Sequence, residues 1–199
     1  MSKVVGILLA AGNSSRFGSN KCFALLPDQT AMGVQSANKL AAAVDEIICV
    51  IPPDNDALDK LFTEQGLKTV VCDTAEQGMS ESLKAGVRYF HADVDVKAFV
   101  IALADMPLIQ PSTYQSVVSQ LKEGDDIVLP SFKGKRGHPV GFNIKYKDEL
   151  MTLQGDQGAK ALFQKYAKDI TLLNVDDPGI HQDFDTLSVF EQYVNECTF

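Results

Sequence analysis

The sequence LLAAGNSSRFGSNK, residues 8–21, carries the pattern that decides the fold class of this 199-residue chain. It completes an apolar run, KVVGILLA at residues 3–10, whose unbroken hydrophobicity is typical of a strand covered on both faces. The run stops at Gly12, and small polar residues, Arg16 and Lys21 follow. We therefore predict a buried strand that leads directly into a loop able to hold an anion.

The residue types of this loop suit a polyphosphate. Gly12 permits a tight turn and lets a ligand approach bare backbone. Ser14, Ser15 and neighbouring N–H groups can form an anion-binding concavity. Arg16 offers a planar fork of donors, and Lys21 adds a compact second charge. The spacing matches neither GxxxxGK[ST] nor GxGxxG, and from the residues alone a plain connection with solvated cations stays open.

Strand-like runs alternate with helix-like segments along most of the chain. The further strand candidates are EIICVIPP, LKTVVCD, KAFVIALAD and DIVLPSF. The helix candidates between them are Thr30–Val44, Asp54–Gln65, Met79–Phe90 and Pro111–Lys122. This alternation implies right-handed crossovers and a mostly parallel sheet. We predict an α/β fold, a three-layer α/β/α sandwich, that forms a single domain over residues 1–199.

The regular alternation weakens after Ser131. GHPVGFNI is a short strand candidate, and DITLLNVDD is another. Helices are predicted near Lys145–Thr152, Asp156–Tyr166 and Leu187–Val194. Asp156 is a natural N-cap for the second of these helices. We expect some antiparallel strands in this part of the sheet.

Composition and charge exclude several classes of function. Hydrophobic residues make up 45% of the chain and charged residues 22%, as in an ordinary globular protein. The net charge of −8 argues against general nucleic-acid binding. No apolar run reaches the roughly 18 residues of a membrane span, and no secretory pattern follows Lys3. We expect a cytoplasmic protein without nucleic-acid or membrane partners, whose four cysteines are mostly buried, reduced thiols.

Three segments are predicted to meet at one edge of the sheet, because ligands of such sheets bind beyond the carboxyl ends of the strands. The first strand ends in Ala10–Gly12, the third precedes Gly78–Ser80, and the fourth ends in Ala104–Pro107. Asp105 follows an apolar strand, where a carboxylate is not expected as core, so it is a candidate metal ligand. Its alternative role is to cap the helix that begins near Pro111.

The same residues carry a resemblance to a known family. LLAAGNSSRFGSNK resembles the signature of the MobA-like NTP transferases. Five more motifs match in chain order: QGMSESLKAG (77–86), LADMP (103–107), GKRGHPVGF (134–142), GDQGAK (155–160) and DFDT (183–186). The resemblance spans essentially the whole chain and is nearest to the molybdenum cofactor cytidylyltransferases, the MocA-like branch. It implies a Rossmann-like, GT-A-like fold that transfers a nucleotidyl group from an NTP.

The resemblance implies roles for residues on the nucleotide side. Arg16, Lys21 and Asp105 would be catalytic, and Asp185 would complete a clamp for Mg²⁺ or Mn²⁺ together with Asp105. Ala11 stands where the guanylyl-transferring branch resembles LAGG, so its methyl group favours CTP over a larger purine nucleotide. The predicted nucleotide-binding residues are Leu9, Ala10, Ala11, Gly12, Ser14, Arg16, Lys21, Gly78, Met79 and Ser80.

On the acceptor side, the resemblance implies a molybdopterin-type substrate. Arg136 and His138 would face its phosphate, and a solvated hairpin tip and a structural histidine are the alternatives. Lys160 stands where the branch commonly has arginine, so a bidentate anion contact is lost there. The predicted acceptor-binding residues are Arg136, Gly137, His138, Pro139, Gly155 and Asp156.

These patterns favour one function and leave two others open. The favoured one is transfer of CMP from CTP to molybdopterin or its molybdenum-loaded form, with a client molybdoenzyme as a further partner. The second is nucleotidyl transfer to another small phosphate, such as a sugar phosphate or methylerythritol phosphate, against which GHPV and GDQGA argue. The third is a catalytically weak carrier of the cofactor, which stays open because Leu187, Ser188 and Val189 follow DFDT where the branch usually continues with proline and an acidic residue. Intact Arg16, Lys21 and Asp105 argue against a carrier.

Overall fold

A single β-sheet forms the centre of the computed structural model, which describes residues 2–12, 14 and 16–197. Within these residues the strands are β1 Lys3–Leu9, β2 Glu46–Ile51, β3 Lys68–Val71, β4 Val96–Leu103, β5 Ile127–Phe132, β6 Lys135–Arg136, β7 Val140–Asn143 and β8 Ile170–Asn174. Their order is β3-β2-β1-β4-β7-β5-β6, and β8 pairs with β5. Only β6 and β7 run against the other strands of the described chain. The predicted sheet is therefore confirmed, with its antiparallel strands after Ser131.

Helices cover both faces of the sheet. Within the described ranges they are α1 Met32–Ala41, α2 Asp56–Thr63, α3 Met79–Tyr89, α4 Pro111–Glu123, α5 Lys147–Met151, α6 Lys160–Lys165 and α7 Leu187–Cys197. Each corresponds to a predicted helix. The largest difference in a boundary is at α6, because Gly155–Gln157 form a 3-10 turn and the α-helix starts only at Lys160.

The core consists of two buried clusters, one on each face of the sheet. Along β1, Val4 and Leu8 pack in the cluster that includes α1, α2 and α4, whereas Val5 and Ile7 pack in the cluster that includes α3, α5 and α6. Alternate side chains of a strand point to opposite faces, so burial on both faces requires an unbroken apolar run. The three-layer α/β/α sandwich predicted from the sequence is thus confirmed.

A third, smaller cluster joins the loop after β1 to the C-terminal region. Phe17, Leu26 and Met32 pack with Phe184 and Phe190. The rings of Phe184 and Phe190 meet nearly edge to face, with centroids 5.3 Å apart. This cluster brings the chain around Phe184 to the edge of the sheet where β1 ends.

The helices and the cysteines can be compared with what the composition predicted. None of the helices in ranges 2–12 and 16–197 combines the length and the apolar character needed to cross a bilayer. Cys22, Cys49 and Cys72 are buried free thiols, and Cys197 is an exposed one. The cysteines therefore agree with the prediction of mostly buried, unpaired thiols.

Candidate active site

The carboxyl ends of β1 and β4 lie side by side in the middle of the sheet. Leu9 pairs with Leu103, and the Ala104 N–H donates a hydrogen bond to the Leu9 carbonyl at 3.1 Å. Ala10 is held on the other side, where its N–H donates to the Val50 carbonyl at 2.9 Å. The segment after β1 and the segment that carries Asp105 therefore meet at one edge.

The loop after β1 folds around Ser14. The N–H groups of Phe17 and Gly18 donate to the Ser14 carbonyl at 2.9 and 3.2 Å, and the Lys21 N–H donates to its hydroxyl at 3.4 Å. The Phe17 side chain is buried in the third cluster, which anchors the loop. Arg16, on one side of this anchor, has a side chain that is 75% exposed. Ser15 lies outside the described residues.

Gly12 and Gly18, the two glycines of this loop, have different backbone conformations and surroundings. Gly18 has φ +82°, a left-handed conformation that favours glycine. Gly12 is not in that region, and a Cβ atom there would have no neighbour within 4 Å among the described residues. Gly12 therefore does not use the left-handed backbone that only glycine adopts easily, and residue 13, which completes the predicted turn, lies outside the described residues. The open space around Gly12 is compatible with close approach of a ligand, which stays a prediction.

Charged side chains from three segments converge at the edge of the sheet. The Lys21 ammonium contacts the Asp105 carboxylate and lies 3.4 Å from Asp185 Oδ1. Arg16 Nη1 lies 3.3 Å from Asp185 Oδ2. Burial alone would lower the pKa of Lys21, but the carboxylates of Asp105 and Asp185 outweigh it and raise that pKa above its usual value. Lys21 is therefore a permanent cation at neutral pH.

Asp183 completes this cluster, although the sequence did not single it out. Oxygen atoms of Asp105, Asp183 and Asp185 lie within 4.8 Å of one another. Burial, followed by repulsion from Asp105 and Asp185, raises the pKa of Asp183. Carboxylate oxygens are the ligands that hard divalent cations prefer. We call these three side chains the acidic cluster, and their chemistry fits a divalent metal.

The loop that carries Asp105 is held by hydrogen bonds to its backbone. The Ser36 hydroxyl donates to the Ala104 carbonyl at 3.0 Å, and Lys39 Nζ donates to the Pro107 carbonyl at 2.6 Å. The Phe184 N–H donates to the Asp105 carbonyl at 3.1 Å. Since Asp183 and Asp185 flank Phe184, this last bond attaches their segment directly to Asp105.

Asp105 does not cap α4, which was the alternative role considered for it. The first turn of that helix is bound by another carboxylate: Asp177 accepts hydrogen bonds from the Gln110 N–H at 2.8 Å and from the Thr113 hydroxyl at 2.7 Å. The side chain of Asp105 instead contacts Lys21 and is only 12% exposed. Asp105 is therefore part of the acidic cluster and not a helix cap.

A cleft of about 920 Å³ lies beside the acidic cluster. Its lining includes predicted nucleotide-side and acceptor-side residues together: Leu9, Met79, Arg136, Gly137, His138 and Asp156. The acidic cluster itself is outside this lining, although Leu103, two residues before Asp105, belongs to it. The cleft therefore runs from the end of β1 to the hairpin of β6 and β7.

Lys160, singled out in the acceptor motif, also lines the cleft, and several further lining residues were not predicted from the sequence: Leu83, Ile101, Leu103, Leu129, Val140, Gly158, Ala159, Phe163 and Gln164. Most are apolar, and an apolar residue in a strand or helix has the same local pattern whether it faces a cleft or the core. Phe163 stacks on Phe142, with ring centroids 6.0 Å apart and planes 10° apart. This stacking positions the Phe163 ring as an aromatic wall of the cleft.

Asp156 makes a contact that differs from its predicted role as the N-cap of α6. Its carboxylate accepts a hydrogen bond from the Met79 N–H at 3.3 Å, at the start of α3. Gly155 and Asp156 pack directly against Gly78. The Asp156 carboxylate therefore binds the start of α3. The N-cap position of α6 is occupied by Ala159, not by Asp156.

Other predicted residues are buried and do not line the cleft. Ala10, Ala11 and Ser80 are buried, and Pro139 is buried next to His138. Among the described residues, the Ser80 hydroxyl and His138 Nδ1 are shielded from solvent and have no hydrogen-bond partner. Burial lowers the pKa of His138, so its ring is neutral at pH 7. A neutral imidazole can donate or accept a hydrogen bond, but it adds no positive charge.

The sequence pattern and the geometry can now be compared with known proteins. Residues 6–170 match the sequence profile of the MobA-like NTP transferase domain. The chain belongs to this family. It is therefore a nucleotidyltransferase, which confirms the family and the class of enzyme predicted from the sequence.

Two named relatives of this MobA-like chain illustrate the similarity. It is 26% identical over 191 residues to the purine catabolism protein PucB of Bacillus subtilis strain 168, with 92% of each chain covered. It is 25% identical over 168 residues to a probable molybdenum cofactor guanylyltransferase of Geobacillus sp. strain WCH70, which covers 82% of this chain and 83% of the relative.

Solved structures confirm the fold. The crystal structure of Rv0371c from Mycobacterium tuberculosis H37Rv has a TM-score of 0.85 and 24% identity, with 98% of each chain covered. The complex of Rv0371c with manganese has a TM-score of 0.79 and 22% identity, again with 98% of each chain covered. At this identity the likeness concerns the fold.

Proposed function

We propose that this MobA-like enzyme transfers CMP from CTP to a molybdopterin-type acceptor and releases pyrophosphate. One observation carries the proposal: Arg16 and Lys21 converge with the acidic cluster beside a cleft whose lining includes four of the six predicted acceptor residues, Arg136, Gly137, His138 and Asp156. Cations and carboxylates at one point suit a triphosphate and its metal, and the cleft offers room for a second substrate.

The reaction joins the acceptor phosphate to the nucleotide. An oxygen of that phosphate attacks the α-phosphorus of CTP, the bond from the α-phosphorus to the bridging oxygen breaks, and pyrophosphate leaves with the electron pair. Negative charge increases on the oxygens around the α-phosphorus and on the leaving group. Lys21, held by Asp105, stabilises that charge from a largely buried position, and Arg16 stabilises it from an exposed one.

Asp105, Asp183 and Asp185 would hold the divalent ion of this reaction, Mg²⁺ or Mn²⁺. When bound, such an ion supplies positive charge that neutralises triphosphate oxygens and helps to orient them. The chain's own contribution is to keep the three carboxylates together. Phe184 does so through its hydrogen bond to Asp105 and its burial in the third cluster.

The choice of CTP rests on Ala11. Ala11 stands at the third position of LAAG, just after β1, where it is buried and does not line the cleft. On the family resemblance we infer that its methyl group leaves less room for a purine base. Discrimination by one methyl group is modest, roughly 1–3 kcal/mol. The Geobacillus relative is named as a guanylyltransferase, so GTP is the competing donor. Leu9, Ala10, Gly12, Ser14, Gly78, Met79 and Ser80 would contribute to the nucleotide site.

The acceptor side of the proposal rests on the far part of the cleft. Arg136 and Lys160 bring positive charge to it in a chain of net charge −8, and Phe163 offers a flat apolar wall for a ring system. Asp156 and His138 add polar atoms in the lining. Gly137, Pro139 and Gly155 shape the same region. We further propose that the reaction takes place in the cytoplasm and that a client molybdoenzyme receives the product.

The decisive experiment measures pyrophosphate release by the purified protein with Mg²⁺ or Mn²⁺. CTP, GTP and ATP are each combined with molybdopterin, with its molybdenum-loaded form, with a sugar phosphate and with methylerythritol phosphate. We expect the fastest release with CTP and a molybdopterin-type acceptor. Equal rates with the three nucleotides would refute the CTP preference, and release with only a sugar phosphate or methylerythritol phosphate would identify a different acceptor. Tight cofactor binding without pyrophosphate release would instead support a carrier.

A further inference from the structure

Asp177 is a buried carboxylate that lies outside the acidic cluster. It is 2% exposed. One of its oxygens accepts hydrogen bonds from the Gln110 N–H and the Thr113 hydroxyl, and the other accepts one from the Gly179 N–H at 2.9 Å. A carboxylate can be buried only where such donors replace water. Asp177 therefore bonds within its own segment through Gly179, and it joins that segment to the one that carries Gln110 and Thr113.

Those two segments are the ones that carry the acidic cluster. Gln110 ends the loop that begins with Asp105 and leads into α4. Gly179 begins the segment that continues to Asp183 and Asp185. The hydrogen bonds of Asp177 therefore connect the two halves of the cluster, although its side chain is not itself part of it.

Further contacts show how closely the two segments are joined. A Cβ atom on Gly179 would lie 2.4 Å from the Leu108 carbonyl oxygen, so the backbones touch and no other residue fits. The Phe184 N–H bonds to the Asp105 carbonyl, and the Ile180 carbonyl accepts a hydrogen bond at 3.1 Å from the N–H of His138, in the connection between β6 and β7. The path from Asp177 to Asp185 is therefore attached at its start, middle and end.

We propose that Asp177 is a positioning residue for the metal site. Through Gln110, Thr113 and Gly179 it sets the separation between Asp105 and the pair formed by Asp183 and Asp185. The inference rests on the proposed function, because it assumes that these three carboxylates bind a divalent ion. Residues that orient metal ligands without touching the metal commonly change metal affinity about 10- to 100-fold when they are replaced.

The test measures binding of Mn²⁺ alone to the purified full-length chain, by electron paramagnetic resonance of the free ion. Asp177→Asn keeps the shape of the side chain but puts an amide N–H₂ group against backbone N–H donors. Thr113→Val removes one of the bonds and leaves the Asp177 carboxylate intact. Asp176→Asn is the matched control, because it removes the same charge from the exposed neighbouring residue. Asp105→Asn serves as the reference for loss of a ligand.

We expect Asp177→Asn to raise the Kd for Mn²⁺ at least 10-fold, Thr113→Val to raise it by a smaller factor, and Asp176→Asn to leave it within twofold of the wild type. We also expect excess Mn²⁺ to restore pyrophosphate release by Asp177→Asn at a temperature where circular dichroism shows both proteins folded. Loss of activity that added Mn²⁺ does not restore would mean a purely structural role and would overturn the inference.

The reference variant separates this inference from the proposed function. If Asp105→Asn loses Mn²⁺ binding while Asp177→Asn and Thr113→Val bind as the wild type does, Asp177 is not a positioning residue and the proposed metal site stands. If Asp105→Asn also binds Mn²⁺ normally, both proposals are wrong. If Asp177→Asn does not fold, Thr113→Val decides: an unchanged Kd overturns the inference, and a raised Kd supports it.

Discussion

The ammonium group of Lys21 contacts the carboxylate of Asp105 although 84 positions separate the two residues along the chain. The contact exists because β1 and β4 are neighbours and end at the same edge of the sheet. Lys21 comes from the loop after β1, and Asp105 follows β4 almost immediately. The arrangement brings a cation and an acidic cluster to the point where the two strands end, and several predictions depend on it.

Replacing Lys21 should lower the rate of the chemical step. We expect Lys21→Ala to reduce kcat for pyrophosphate release about 100-fold or more, because a fixed charge that stabilises the transition state is lost. Lys60→Ala is the control, since Lys60 is an exposed lysine in an i,i+4 ion pair on α2. Steady-state kinetics with CTP and a molybdopterin-type acceptor measure the effect. Unchanged turnover by Lys21→Ala would remove Lys21 from the mechanism.

Asp183 should be needed for metal binding even though its sequence context did not single it out. We expect Asp183→Asn to raise the Mn²⁺ concentration for half-maximal activity about 10-fold or more, because one of three carboxylate ligands becomes a neutral amide. The exposed Asp73 offers a matched control, Asp73→Asn, which should not change the metal requirement. If both variants show the same metal dependence as the wild type, Asp183 is not a ligand.

Ala11→Gly should change the choice of nucleotide. If the Ala11 methyl group limits the base pocket as proposed, its removal makes room for a purine, and we expect kcat/KM for GTP to rise relative to CTP by about 10-fold, within the range typical of one methyl group. The ratio of kcat/KM values for the two nucleotides is the relevant measurement, since it cancels general losses of stability. A ratio identical to that of the wild type would show that Ala11 does not select the base.

The two glycines of the first loop should respond differently to alanine. At Gly12 an added Cβ has open space and no backbone strain, so Gly12→Ala should fold with an unchanged Tm but bind CTP more weakly. At Gly18 the positive φ makes alanine strained, and Gly18→Ala should lose about 1 kcal/mol of stability. Thermal unfolding and the KM for CTP measure the two effects. A Gly12→Ala enzyme with an unchanged KM would mean that no ligand approaches this backbone.

His138 should contribute to the pH dependence of stability. Burial lowers its pKa in the folded state below the ordinary value of 6.5. Below pH 6.5 the unfolded state therefore binds more protons than the folded state, and stability falls as the pH drops from 6.5 towards the folded pKa. We expect His138→Gln to lose less stability than the wild type between pH 7 and pH 5, as measured by urea unfolding. Parallel curves for the two proteins would contradict an imidazole that stays neutral in the folded state.

Much of the fold could be predicted because it depends on local patterns. The run KVVGILLA predicts a strand covered on both faces, and in the structure Val4 and Val5 do point into opposite clusters. The start of α6 was predicted less well, because the residue expected to cap it makes a tertiary contact instead. Asp156 has the residue type of an N-cap, but the Met79 N–H, 77 positions away, engages its carboxylate. A local sequence pattern cannot show that a distant N–H group will bind the carboxylate expected to cap the helix.

The candidate site also has features that the local sequence predicts and features that depend on tertiary packing. The sequence by itself determined the strand, the loop of small residues, the presence of Arg16 and Lys21, and a carboxylate at the end of β4, because each depends on neighbouring residues. Only the tertiary structure decided that Asp183 joins Asp105 and Asp185, that Phe163 forms a wall of the cleft, and that Asp177 ties the two halves of the cluster together. Those relationships arise where segments distant in sequence pack and satisfy buried polar groups, and no periodicity along the chain encodes which donor will meet which acceptor.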